Sequence, residues 1–247
     1  MERSDEQVSG ELKALYDSYY SGPSDWRWLG AIAKAANIIR LCQGRAHGTV
    51  LDIGCGEGAV LLRLSDLGFG SELYGLEISG SGVKATLERK IPRLTACALF
   101  DGYHIPYEDG RFDLAILSHV VEHLEYPERL LREASRVARL VFVEIPLEDN
   151  ALAKLGIIPY GTGHLVYYSR KTLRALLARS DLTILGQTTV NSTYRQYLHL
   201  YGRKGSVVFL AKQLALLVVP PLATRLMTFN CATLCAPANP GAPHLPE

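Results

Sequence analysis

The chain has 247 residues, 48% of them hydrophobic, which is enough to bury the core of one large domain and excludes disorder as a description of the whole. Its 26 Lys and Arg against 25 Asp and Glu give a formal charge of +1, without the basic excess of a protein that works on a phosphate backbone, so no nucleic-acid partner is expected. Five scattered cysteines, Cys42, Cys55, Cys97, Cys231 and Cys235, form no C-x-x-C pair, and neither a disulfide framework nor a cysteine zinc site is expected.

The charged start MERSDEQ lacks the layout of a secretory signal and reads as cytoplasmic. Residues 1–45 read as a helical cap. Leu12, Leu15, Tyr16 and Tyr19 stand at helical spacing, Gly22-Pro23-Ser24-Asp25 breaks the run, and a second apolar segment follows from Trp26 to Cys42. From Thr49 short apolar runs alternate with helical ones: strands over 49–53, 72–78, 94–99, 112–117 and 139–145, helices over 57–67, 81–90 and 127–138. That alternation predicts a doubly wound, Rossmann-like α/β fold around a parallel sheet. Another amphipathic helix begins with Ser169 as its N-cap, and a strand over 182–185 follows. Then come a Tyr-rich stretch (Tyr194, Tyr197, Tyr201), an apolar run from Val207 to Leu222, and a last strand over 227–235. Residues 236–247, rich in Pro and Gly, read as a flexible tail.

The most informative segment is Thr49-Val-Leu-Asp-Ile-Gly-Cys-Gly-Glu-Gly, a buried strand leading through Gly54, Gly56 and Gly58 into a helix. Such a loop lets a ligand approach the backbone and offers it a helix N-terminus. A dinucleotide loop would read G-x-G-x-x-G; the spacing here is G-x-G-x-G, and Asp52 precedes it. A carboxylate there repels a pyrophosphate but can hold a cationic amino group, which favours an amino-acid-bearing nucleoside. Glu77, nineteen residues after Gly58, ends the next strand and could accept both ribose hydroxyls. Asp101, in Phe100-Asp101-Gly102 after the third strand, could accept from an adenine amine. Any one of these acids alone could be a solvated strand-end residue; three at successive strand ends point to a cofactor.

VLDIGCGEG, YGLEIS, FDGYHIPYEDGRFDLAILSHVVEHLEYPERLLREASRVAR and VFVEIPLEDN together resemble a class I S-adenosylmethionine-dependent methyltransferase, of the small-molecule type that includes the ubiquinone-biosynthesis methyltransferases. The resemblance covers residues 49 to about 185. It implies seven strands with the last antiparallel, a methyltransferase domain over 46–235 and a helical insertion at about 194–226. It implies S-adenosylmethionine as cofactor, with Asp52, Gly54, Cys55, Gly56 and Gly58 at its methionine end. Glu77 and Ile78 would face the ribose, Asp101 and Gly102 the adenine, and the Ser118 backbone the sulfonium.

The acceptor is harder to read. Families that methylate exocyclic or amide nitrogens carry Asn or Asp, Pro-Pro and an aromatic after the fourth strand, where this chain has Ser118-His119-Val120-Val121. A small, lipophilic acceptor methylated on oxygen is therefore expected, with a protein or tRNA methyltransferase, or a cofactor-binding pseudoenzyme, as the alternatives. His119, Glu122 and His123 form H-x-x-E-H where the resembling ubiquinone enzymes have E-x-x-E-H, a run linked to a divalent cation; His119 replaces its first Glu, and no metal is expected. His123 could be structural, and His119, His123 or His164 could serve as a general base. Tyr16, Tyr19, Tyr20, Trp26, Trp28, Tyr160, Tyr167 and Tyr168 are candidates for an acceptor lid. Residues 182–246 contain no Asp or Glu but carry Arg195, Arg203, Lys204, Lys212 and Arg225 about the apolar run, which suggests a lid over the acceptor and weak contact with anionic membranes.

Overall fold

A computed structural model describes residues 7–238 except Pro23, Pro159, Tyr160 and Thr162. In chain order it forms α1 (Gly10–Tyr19), α2 (Asp25–Leu41), β1 (Thr49–Ile53), α3 (Ala59–Asp66), β2 (Glu72–Glu77), α4 (Gly80–Glu88), β3 (Leu94–Leu99), β4 (Phe112–Ser118) and a 3-10 turn (Val121–His123). There follow α5 (Pro127–Val137), β5 (Ala138–Pro146), α6 (Ala151–Lys154), α7 (Arg170–Arg179), β6 (Leu182–Val190), α8 (Tyr194–Tyr201), α9 (Lys204–Val218), α10 (Pro220–Leu226) and β7 (Asn230–Pro237).

The strands make one sheet in the order β3-β2-β1-β4-β5-β7-β6, with β7 antiparallel to both β5 and β6. This is the expected architecture. Because side chains alternate across a strand, the central strands feed two cores. Leu51, Ala115, Leu117, Val141 and Val143 pack with Leu130 and Leu131 of α5 and Leu173 and Leu176 of α7. Val50, Leu114, Ile116 and Phe142 pack on the other face with Ala31, Ala35 and Ile38 of α2 and Leu61 and Leu64 of α3. Burial on both faces is why these strands read as continuous apolar runs rather than alternating ones.

Helix starts follow side-chain caps: Ser24 accepts from the Arg27 N–H, and Ser169 and Thr172 form a reciprocal capping box at α7, as the sequence suggested for Ser169. The region before the last strand folds as α8, α9 and α10, where an insertion was expected. Two strands differ from expectation by three residues or more at an end. β6 continues to Val190, past a bulge that leaves Leu185 unpaired, because Gly186–Val190 pair with Leu234–Asn230 of β7. β7 starts at Asn230 rather than 227 and runs through Ala236 and Pro237, paired with Thr183 and Leu182, so the first residues assigned to the tail are strand. The rest of that tail, from residue 239, lies outside the described residues.

The order reverses between β1 and β4: one side of the sheet continues to β2 and β3, the other to β5. Loops leaving the two strands diverge and open a crevice at their C-terminal ends.

Candidate functional site

A cavity of about 620 Å³ fills this crevice. Its floor is the glycine loop. Gly54, Gly56 and Gly58 adopt φ of +72°, +58° and +75°, where a side chain is strained, and the N–H groups of Gly54 and Cys55 both donate to the Leu76 carbonyl, at 2.7 and 3.0 Å. Gly56 N–H donates to Glu77 Oε2 at 2.8 Å, while Ile78 and Ser79 N–H donate to Oε1 at 2.9 and 3.1 Å. Glu77 thus braces the loop from below. Burial pushes its carboxyl above the ordinary range against the pull of these donors. Asp52, at the end of β1, is buried on the cavity wall. Burial raises it to about 7, with Lys34 pulling it down and Glu77 pushing it further up.

Most of the expected cofactor residues meet here: Asp52, Gly54, Cys55, Gly56, Glu77, Ile78, Gly102 and Ser118 all line the cavity. Two expected residues do not. Gly58 lies under the loop at the start of α3, where a Cβ would stand 2.9 Å from Ile91 and Thr86. Asp101 turns into its own loop, its Oδ1 accepting from Tyr103 and His104 N–H, each at 2.7 Å, a local Asx-type bond that competes with any ligand. Cys55 contributes backbone, since its Sγ lies 3.7 Å from Cys97 Sγ.

The N-terminal cap roofs the site. Val8 N–H donates to the Asp101 carbonyl at 3.0 Å and its side chain covers Gly102, while Asp17 accepts from the Ser81 N–H at 3.1 Å. Tyr16 and Tyr20 stack at 5.8 Å, and Tyr20 sits directly over Gly56. Arg27 is clamped by Glu57 at 2.8 Å and lies over the Tyr19 and Tyr20 rings. Of the expected aromatic lid, Tyr16, Tyr19, Tyr20 and Trp26 line the cavity. Trp28 and Tyr168 pack into the two cores instead, Tyr167 is not on the cavity wall, and Tyr160 lies outside the described residues.

The opposite wall holds all three expected histidines. His119 adopts φ +61°, unusual for a side-chain-bearing residue, held by its N–H donating to the Glu144 carbonyl at 2.8 Å. Burial and the nearby Lys34 keep its imidazole well below the usual range and neutral. His123 donates from Nδ1 to the Gly163 carbonyl at 2.9 Å, and burial lowers it to about 4. His164 differs. Its Nδ1–H donates to Glu148 Oε2 at 2.6 Å, and Glu148 Oε1 accepts from Gly161 N–H at 2.9 Å. Burial pulls the His164 imidazolium down, but the Glu148 bond and the charges of Glu122 and Glu148 outweigh it, and the net shift is upward.

Glu122 stands between these rings, buried, with neither carboxylate oxygen in a hydrogen bond; His119 Nδ1, 3.4 Å away, is not aligned for one. Burial raises Glu122 to about 7. Glu122, His123 and His164 bring one ligand atom each within 4.8 Å of one another. Two imidazoles and an unpartnered carboxylate fit a divalent cation, although no metal was expected from the sequence, where His119 stands in place of the first Glu of the resembling run.

Sequence reasoning missed Lys34, Glu144 and Glu148. Lys34 Nζ donates to the Ser118 carbonyl at 3.4 Å, and burial lowers it despite Glu144, Glu122 and Asp52 around it. Glu144, at 1% exposure, is held by Asn37 Nδ2, 3.3 Å from both of its oxygens. A signal existed: Lys34 and Asn37 are polar positions inside the apolar stretch Leu29–Ile39 of α2, and Glu144 interrupts a buried strand.

Residues 27–187 match the model of a family described as a methyltransferase domain. The chain belongs to that family. This methyltransferase-domain chain is 34% identical over 97 residues to ajmaline N-methyltransferase of Rauvolfia serpentina, covering 36% of this chain and 32% of that one. It is 37% identical over 93 residues to the mitochondrial ubiquinone biosynthesis O-methyltransferase of Candida albicans, covering 34% and 27%. The chain therefore spans about a third of the length of these curated relatives. Its fold matches geranyl diphosphate C-methyltransferase of Streptomyces coelicolor A3(2), solved with S-adenosyl-L-homocysteine, at a TM-score of 0.64 and 12% identity over 94% of this chain and 99% of that one. S-adenosylmethionine is the methyl donor of the family, and the Cβ-free floor with buried acids at two successive strand ends fits it.

Proposed function

We propose that this protein transfers the methyl group of S-adenosylmethionine to an oxygen of a small, lipophilic acceptor, with His164 as the general base. The single observation that carries this reading is the His164–Glu148 pair. With Nδ1–H committed to a carboxylate at 2.6 Å, the neutral ring keeps Nε2 as its basic atom on a residue that lines the cavity, and its pKa lies above the ordinary histidine value. His119 and His123 are held far below neutrality and make poor bases.

The sulfonium carbon is already electrophilic, so the protein's work is alignment and proton removal. When bound, S-adenosylmethionine would give its methyl group to the acceptor oxygen as the carbon–sulfur bond breaks and would leave as S-adenosylhomocysteine, and the acceptor proton would pass to His164 Nε2. Asp52 would hold the cofactor's amino group and Glu77, Ile78 and Gly102 its nucleoside. Leu12, Leu15, Tyr16, Tyr19 and Trp26 supply apolar wall, and Glu144 and Glu148 disfavour an anionic acceptor, so the complementary molecule is neutral and lipophilic. A divalent cation held by Glu122, His123 and His164 would take His164 Nε2 as a ligand, and so would replace the base and polarise the acceptor oxygen instead.

Labelled methyl transfer from S-adenosylmethionine to metabolite fractions, followed by kinetics on the acceptor found, tests the reading. His164→Ala should lower kcat about 10²-fold or more with S-adenosylhomocysteine affinity kept. Full activity in that variant removes the base; loss on chelation with recovery on adding magnesium reassigns the cluster to a cation.

A further inference from the structure

We propose that the outer face of α9 and α10 docks on a membrane surface bearing anionic headgroups. This goes beyond methyl transfer and does not depend on it.

A helix on a water-soluble domain turns its apolar stripe inward and its charges outward. α9 is inverted. Its inward positions are Gly205, which meets the Tyr197 backbone, Phe209, whose ring meets Tyr194 and Tyr197, and Lys212. Lys212 Nζ donates to the Thr228 carbonyl at 2.6 Å and lies over the Tyr197 and Phe229 rings, so the one lysine within the helix body is spent inside the protein. Outward stand Val207, Leu210, Leu214, Leu217 and Val218, exposed by 70%, 64%, 61%, 81% and 65%. Leu222 of α10, 52% exposed, adds to them. So many aliphatic side chains left in water on one surface call for a cover.

Two observations say what the cover is. Four exposed cations border the stripe: Arg195 on α8, Arg203 and Lys204 where α9 begins, and Arg225 in the last turn of α10. None of them has an ion-pair partner among the described residues, and no Asp or Glu occurs between residues 182 and 246 to repel an anionic surface. The exposed stripe itself is Val and Leu, whereas protein interfaces favour aromatic, Met and Arg side chains at their centres. Tyr194 and Tyr201, both partly exposed on α8, stand near the cations as amphipathic side chains do at a headgroup boundary. At 15 residues α9 is about 22 Å long, short of the ~30 Å hydrocarbon layer, and no described helix is long and apolar enough to cross a membrane. The helix therefore lies in the plane of the surface. α8 also supplies Gln196 to the cavity wall, which sets the docking face beside the site.

Flotation of the full chain with phosphatidylcholine vesicles, with and without phosphatidylglycerol, in low salt tests the proposal. The protein should float with the anionic vesicles, stay behind with the neutral ones, and be released by salt. Leu214→Asp/Leu217→Asp should weaken binding at least about tenfold, and Arg203→Ala/Lys204→Ala about thirtyfold. Thermal melts check that each variant is folded, so that a failed methyl-transfer reading leaves the vesicle result standing. No flotation of the unaltered chain, or equal flotation with both vesicle types, overturns the proposal. So does a dimer in sedimentation equilibrium that Leu214→Asp/Leu217→Asp dissociates while vesicles bind nothing, since the cover would then be a second copy of the chain.

Discussion

Gly56→Ala isolates the contact on which the roof of the site depends. Gly56 has φ +58°, and an alanine there costs about 1–2 kcal/mol in backbone strain alone. The added Cβ would also stand 2.7 Å from Tyr20 Oη and 2.8 Å from Cζ. That ring cannot step aside freely, because it stacks on Tyr16 at 5.8 Å, meets Tyr19 edge-on at 5.1 Å and lies under Arg27. Moving it means moving α1, at about 1–3 kcal/mol, the range for overpacking a filled space. The variant should therefore lose about 2–5 kcal/mol in urea unfolding of the ligand-free protein, and its affinity for S-adenosylhomocysteine should fall as the loop and Glu77 part. Tyr20→Ala removes the obstacle, so the double variant should cost about 1–3 kcal/mol less than the two single losses added together. A Gly56→Ala loss under about 1 kcal/mol, or strictly additive single variants, would show that Tyr20 does not rest on the glycine loop.

The buried carboxyls set a pH dependence. Asp52 and Glu122 are held up at about 7, above the ordinary carboxyl range near 4, so between those values the native protein keeps protons that the unfolded chain releases, and its stability falls as pH rises through that window. His119 and His123, held low, act in the opposite sense, so the test is a difference: between pH 5 and 7 the urea midpoint of Glu122→Gln should fall less, or rise more, than that of the unaltered ligand-free protein, and the same pH shift in both would mean that Glu122 ionises freely. Binding of a cationic amino group beside Asp52 should expel its proton near pH 6.5, read as a buffer-dependent enthalpy in calorimetry. Glu148→Gln keeps an acceptor for His164 but removes the charge, so the acidic limb of the rate profile should move to lower pH, and an unmoved limb would detach Glu148 from the base.

Much of the fold was legible locally. Strands buried on both faces appear as apolar runs, Ser169 announces α7, and the G-x-G-x-G spacing after β1 marks a turn that only glycine enters without strain. Glu77 and Asp52 were readable because each ends a strand next to that loop. Asp101 looked equivalent but is not on the cavity wall: its Oδ1 accepts from N–H groups two and three residues ahead, whereas the backbone bonds of Glu77 tie it to the glycine loop that floors the cavity.

Periodicity, turn chemistry and capping act over a few residues, and within that range the amino-acid sequence by itself determined the doubly wound sheet and the glycine floor. Pairings across the chain were decided only by the tertiary structure. Asn37 meets Glu144 across 107 positions, Lys34 meets Ser118 across 84, and His164 was one histidine among several until Glu148, sixteen residues earlier, was seen to hold it. The same is true of α9. Its composition showed an apolar run interrupted by Lys212, but which side met water depended on Thr228, Tyr197 and Phe229 drawing that lysine inward, and the leucines were left outside because a helix has only one face to bury.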